Sequence, residues 1–229
     1  MVALPQNPII VLFAGNAMTM KDGLSVLLDN HIDDFFGDKF DLFLMDYPCS
    51  GMSQNASNTM ENTIKSAYKL YTQALKLSVS NNRQIWVMTI SIGMAVFASI
   101  LPRLSDNEQP NGIICVNGLM SMRKTVIKTM HHVGRIYYYG LGGDLNTARL
   151  ISKHLLPNVK LYWFQGDPDE LIDVANVRKV ITMWRSQERN LSVHLIMLGD
   201  YSHNDFNLNG ILNRLSQLNP KDGQFIFKM

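Results

Sequence analysis

Ser91 stands where two apolar runs meet. Ile85-Trp86-Val87-Met88 and Thr89-Ile90 lie before it, and Ile92-Gly93 and Met94-Ala95-Val96-Phe97-Ala98 follow. A strand-like run that passes into a helix-like run with almost no break puts the serine on a tight turn, its hydroxyl above the sheet. Backbone N–H groups at the start of the following helix then point toward any oxyanion formed there. That is the geometry a nucleophilic serine needs, and a core position gains nothing from a hydroxyl. A serine is also an ordinary helix N-cap, so the rest of the chain has to decide.

A serine hydroxyl is a weak nucleophile until a base takes its proton. Histidine does this near neutral pH, its ordinary pKa being about 6.5. A buried carboxylate fixes the imidazole tautomer and stabilises its positive form. In an open parallel sheet, ligands bind at the carboxyl ends of the strands, so the residues after each strand-like run carry most meaning. Gly15-Asn16-Ala17-Met18 follow the first run, and Asp46-Tyr47-Pro48-Cys49-Ser50-Gly51-Met52-Ser53 the second. Gly166-Asp167-Pro168-Asp169 follow the fifth, and Gly199-Asp200-Tyr201-Ser202-His203-Asn204-Asp205-Phe206 the sixth. In chain order these edges hold a hydroxyl, a carboxylate and an imidazole. Among the six histidines, His194 falls inside a strand, where it is expected to point into packing or toward a covering helix. His31, His131, His132 and His154 fall in helical or cap regions, and only His203 follows a strand end in a loop. Spacing alone leaves both Asp167 and Asp169 open as the acid.

Six apolar runs must position these residues. They are Ile9–Ala14, Phe40–Met45, Ile85–Met88, Ile113–Val116, Val159–Phe164 and Leu191–Leu198. Most are continuous instead of alternating, as expected for strands covered on both faces. Helical spacing falls between them. Ile64, Ala67, Tyr68, Tyr71 and Leu75 repeat at three and four within 60–78, with Asn58 and Glu61 placed like a capping box. Val174, Val177, Ile181 and Trp184 mark another helix, and 206–218 a last one closed by Asn219-Pro220. Alternating strands and helices predict an α/β fold: a mostly parallel central sheet of about six strands with helices on both faces. The stretch 119–156 is longer than one crossover helix requires. Its Tyr137-Tyr138-Tyr139-Gly140-Leu141-Gly142-Gly143 suggests a small cap, although an enlarged crossover fits as well. Residues 1–229 are read as a single domain.

Composition narrows the function classes. A net charge of +2, from 21 basic and 19 acidic residues, gives no support for nucleic-acid binding. Cys49 and Cys115 are too few for a disulfide framework and lack metal-ligand spacing, so no metal is expected. The first strand ends in Ala14-Gly15-Asn16-Ala17 and not Gly-x-Gly-x-x-Gly, which argues against a dinucleotide-binding protein, and no cofactor is expected. No basic segment followed by an apolar core opens the chain, and no run reaches the length of a transmembrane segment. These features together point to a soluble, cytoplasmic protein in a reducing compartment. Fourteen methionines are explained by adaptable core packing.

With Thr89-Ile90-Ser91-Ile92-Gly93, Phe13-Ala14-Gly15-Asn16-Ala17, the 46–53 loop, Gly166-Asp167-Pro168-Asp169 and Ser202-His203-Asn204-Asp205-Phe206, the chain resembles the α/β-hydrolase superfamily over about Ile9 to Leu218. Thr89 stands where the superfamily usually has the first glycine of Gly-x-Ser-x-Gly. Ala14-Gly15 stands where it usually has His-Gly. The resemblance implies Ser91 as nucleophile, His203 as general base and Asp169 as acid, since Asp169 keeps the family's Gly-x-x-Asp spacing from Gly166. Asp167 is the alternative acid, while Asn117, at the position some relatives use, cannot supply a charge. The implied oxyanion hole uses backbone N–H groups of Ile92 and of Asn16 or Ala17. The implied activity is hydrolysis of an ester or thioester of an acyl group through an acyl-enzyme. The expected substrate is a small-molecule or lipid-like acyl compound, or an acyl group bound to a carrier. An acyltransferase using the same triad and a non-catalytic binding module are the alternatives.

Overall fold

The computed structural model describes residues 8–15, 18–29, 40–54, 57, 59–125, 128, 145–186, 190–199 and 201–203. Six strands form one sheet: β1 (Ile9–Phe13), β2 (Asp41–Phe43), β3 (Ile85–Ile90), β4 (Gly112–Val116), β5 (Lys160–Gly166) and β6 (Val193–Leu198). Their order is β2-β1-β3-β4-β5-β6, and every pairing is parallel. The chain runs from β1 outward to β2, then returns to β3 on the other side of β1. The carboxyl ends of β1 and β3 therefore flank the point where the winding reverses, the usual place for a ligand crevice.

Alternation along each strand divides the core between the two faces. Ile9, Val11, Phe13, Val87, Cys115, Leu161 and Trp163 pack on one side. Ile10, Leu12, Trp86, Met88, Ile114, Tyr162 and Phe164 pack on the other. The first face is covered by α2 (Met60–Ser80), α3 (Ile92–Ile100), α4 (Thr147–His154) and α5 (Val174–Ser186). Helix α1 (Met20–Asp29) lies over the second face, where Gly23 faces Leu12. Helix α3 has no charged residue and buries Met94, Val96, Phe97 and Ile100. A helix apolar on all sides belongs in the interior, and each large side chain buried there contributes about 1.5–3 kcal/mol.

Local details depart from the sequence expectation in physical ways. Strand β2 keeps three residues of the expected six. Beyond it Asp46 accepts the Met20 N–H at 2.5 Å and the Met52 N–H at 2.8 Å, tying the chain to α1 and to the 51–53 turn instead of to the sheet. Helix α2 is capped by Thr59, whose extended backbone lets its hydroxyl accept the Asn62 N–H; Asn58 lies outside the described residues. Strand β5 continues through Gln165 and Gly166, which pair with Met197 and Leu198. His194 is exposed and not packed inward. Among the described residues β6 is an edge strand, and the imidazole stacks on Tyr162 at 5.1 Å. The expected helix 206–218 lies outside the described residues, as do residues 126–127 and 129–144 of the expected cap at 119–156. Among those described, no helix is long and apolar enough to cross a membrane.

Gly93 shows how closely the turn after β3 presses on β1. A Cβ built there would lie 2.0 Å from the Phe13 carbonyl oxygen and 2.8 Å from that of Ala14. Backbone on both sides cannot yield. Gly93→Ala is expected to destabilise the fold by about 3 kcal/mol, the upper range for overpacking, read as a lowered midpoint in urea unfolding. Wild-type stability in this variant would show that the contact relaxes.

Candidate active site

Strand β3 ends at Ile90 and α3 begins at Ile92, so Ser91 alone makes the turn. Its backbone lies at φ 51°, ψ −115°. Positive φ is strained for a residue with a Cβ, and such strain persists only where surrounding structure holds it. Three backbone bonds do so: Ser91 N–H to the Val116 carbonyl, and the Leu119 and Met94 N–H groups to the Ser91 carbonyl. Thr89, two residues before, is fully buried, and its hydroxyl donates to the Met94 sulfur at 3.5 Å. That contact gives the buried hydroxyl a partner.

The turn holds the Ser91 hydroxyl against His203. Oγ lies 2.9 Å from His203 Nε2, across 112 residues of sequence. His203 Nδ1 lies 2.9 Å from Asp169 Oδ2 and 3.1 Å from Oδ1. An ionised carboxylate only accepts, so Nδ1 carries the proton and Nε2 is left to accept the serine hydroxyl hydrogen. The imidazole is nearly buried and the carboxylate side chain fully so. Burial alone pushes the Asp169 carboxyl up. The donors around it outweigh burial and hold it below its ordinary value: His203 first, then the backbone N–H groups of Ile172 and Leu171.

The structure separates the two candidate acids. Asp167 is well exposed and faces Arg178 on α5 at 3.8 Å. Pro168 turns the loop, and Asp169 is the carboxylate that meets His203. Ile92 opens α3, and the first N–H groups of a helix have no intrahelical acceptor. Asn16 and Ala17, the other expected oxyanion donors, lie outside the described residues. Tyr47 donates its hydroxyl to the Ala14 carbonyl at 3.0 Å, and burial pushes its phenol up so that it stays a donor. Burial likewise pushes the Cys115 thiol up, which makes it a poor competing nucleophile. Among the described residues no group of three His, Cys, Asp or Glu could hold a metal ion. A cleft of about 220 Å³ opens beside the acid loop, with Met120, Leu171 and Ile172 in its wall and Lys124, Asp173 and Asn176 at its polar side.

Two amides that sequence reading did not place in the site hold it together. Asn117, after β4, is fully buried in a left-handed conformation that asparagine tolerates. Its Nδ2 donates to the His203 carbonyl at 2.8 Å and the Ser202 carbonyl at 3.3 Å, and its Oδ1 accepts the Gly166 N–H at 2.8 Å. Gly166 itself must lack a side chain, since a Cβ there would meet the Tyr201 carbonyl at 2.0 Å. Gln165, on β5, touches Asp169 directly. The signal for both was present: a lone amide ending an apolar strand run has to find partners at the sheet edge. Asn117→Leu is expected to lower stability by about 1–3 kcal/mol, because the Gly166 N–H and two carbonyls lose their partner. The measurement is denaturant unfolding. An unchanged midpoint would mean that water replaces the amide.

The fold defined by this sheet order and this elbow is that of the α/β-hydrolases. A soluble variant of monoglyceride lipase from Saccharomyces cerevisiae, solved with a substrate analogue, superposes with a TM-score of 0.67 at 11% identity, covering 93% of this chain and 86% of the lipase. An esterase of Pyrococcus furiosus gives 0.65 at 16% identity over 96% of this chain and 81% of its own. A thermophilic esterase from Thermogutta terrifontis, with propionate bound, gives 0.63 at 14% identity over 98% and 86%. No protein-family model matches the chain, and no curated protein matches it in sequence.

Proposed function

We propose that this protein is a serine hydrolase that cleaves an ester or thioester of an acyl group through an acyl-enzyme. The observation that carries the reading is the unbroken hydrogen-bonded series from Ser91 Oγ through His203 to a buried Asp169. It is anchored on a serine held at positive φ. Structural neighbours that are esterases and a lipase support the same class.

In this reading, Ser91 Oγ attacks the substrate carbonyl carbon as its proton passes to His203 Nε2. Asp169 keeps Nδ1 protonated and stabilises the imidazolium. The Ile92 N–H, with one from Asn16 or Ala17, takes the developing oxyanion. His203 then returns its proton to the leaving oxygen or sulfur, and the acyl group stays on Ser91. Water, deprotonated by His203, attacks the acyl carbonyl, and collapse of the second intermediate frees the carboxylic acid and Ser91. The substrate in this reading is a small-molecule or lipid-like acyl compound, a class that the esterase and lipase neighbours support. A carrier-bound acyl group would enter with only its acyl end.

A fluorophosphonate probe tests the reading directly. Wild type is expected to be labelled at Ser91, and Ser91→Ala to remain unlabelled. A panel of acyl esters graded by chain length, with matched thioesters, then ranks the substrates. An unlabelled wild type that hydrolyses none of them would leave the non-catalytic binding module in its place.

A further inference from the structure

Gln165 is fully buried at the carboxyl end of β5, four residues before Asp169. The two ends of its carboxamide differ in chemistry, and its surroundings fix which end faces which group. The Trp163 indole N–H is only a donor, and it points at Gln165 Oε1 from 3.2 Å. The amide NH2 must therefore face the other way. Nε2 donates to Asp169 Oδ2 at 2.7 Å, with a longer contact to the Gly166 carbonyl at 3.4 Å. Trp163 has no room to turn. It is fully buried, its ring packs at 6.0 Å and 58° against Trp184, and a Cβ on Gly118 would come within 2.7 Å of its far edge.

The division of labour around the carboxylate is specific. The Leu171 and Ile172 N–H groups hold Oδ1. Gln165 holds Oδ2, the oxygen nearer to His203 Nδ1. We propose that Gln165, oriented by Trp163, is a positioning residue that fixes Asp169 Oδ2 against His203. Its effect on turnover rests on the serine-hydrolase reading; its geometry does not. A glutamine that only satisfied its own buried amide would change stability and leave turnover per folded molecule untouched.

The experiment compares the full chain with Gln165→Met, Trp163→Phe and the double variant. The readouts are ester turnover, the rate of fluorophosphonate labelling at Ser91, and the low-field His203 N–H resonance in proton NMR. Gln165→Met is expected to lower kcat about 10- to 100-fold, the worth of one hydrogen bond to a charged group. KM should stay within about two-fold, because the loss falls on the transition state, and the resonance should shift or broaden. Trp163→Phe should move both readouts the same way by less, and should add nothing to kcat in the Gln165→Met background, since the indole acts through the amide. Wild-type kcat with an unmoved resonance in Gln165→Met overturns the proposal, as does a Trp163→Phe effect that persists undiminished in the double variant. Should Gln165→Met fail to fold, Trp163→Phe decides on the same two readouts. If wild type is neither labelled nor active, the serine-hydrolase reading fails, and the resonance still decides the positioning: shifted in Gln165→Met supports it, unmoved overturns it.

Discussion

Replacing Ser91 by alanine is expected to lower ester turnover by about a millionfold, the usual consequence of losing a nucleophile whose partners act only through it. The fold should stand. Ser91 is partly buried, and its backbone rather than its hydroxyl bonds to Val116, Leu119 and Met94. Circular dichroism and urea unfolding of Ser91→Ala should therefore match wild type while labelling and hydrolysis vanish. An alanine variant that keeps most of its activity would mean that another group attacks the substrate.

Asp169→Asn is expected to lower turnover by about ten-thousandfold, through loss of tautomer control and of imidazolium stabilisation together. Asp167→Asn should leave turnover within about two-fold, since an exposed ion pair of this kind contributes little; its carboxylate faces Arg178 and not the imidazole. Equal losses in the two variants would sink the assignment. The same pair carries a pH signature. Asp169 titrates lower in the folded chain than in the unfolded one, where a carboxyl has its ordinary value of about 3.9. Its contribution to stability is thus complete above that value and is lost as pH falls through the lowered native one. The stability gap between wild type and Asp169→Asn should hold steady above about pH 4 and close below it. A gap that persists unchanged into strong acid would mean that the carboxylate is not held in its charged form.

The positions of the sheet and of its edge loops were readable because strands covered on both faces are written as unbroken apolar runs. Ser91 stood out for the same reason: the apolar runs on either side of it leave one residue for the turn. The acid was harder. Asp167 and Asp169 straddle Pro168, and only the folded loop distinguishes the carboxylate that turns inward from the one that meets Arg178. What Asn117 holds was hidden for a deeper reason: its partners come from β5 and the loop after β6, so no local pattern ties the amide to them. Gln165 meets Trp163 and Asp169 two and four residues away, but only the folded loop turns that carboxylate back to it. The exposure of His194 follows from strand order, which periodicity does not encode. Thr59 takes the cap for which Asn58 and Glu61 are spaced, because either neighbour can cap and only the backbone at the helix start decides.

The parallel strand order has a consequence for how the protein comes into being. Ser91, Asp169 and His203, the proposed nucleophile, acid and base, follow β3, β5 and β6, and each parallel neighbour waits for a crossover to be made. A chain leaving the ribosome meets Ser91 early and His203 more than a hundred residues later. Until β6 docks on β5, the emerging chain holds an inert hydroxyl and a carboxylate with nothing to orient. On the proposed reading, newly made polypeptide therefore carries no assembled triad while its sheet is still incomplete. On that reading the triad arrives with the strand that completes the described sheet, so the order of synthesis also sets the order in which the site is assembled.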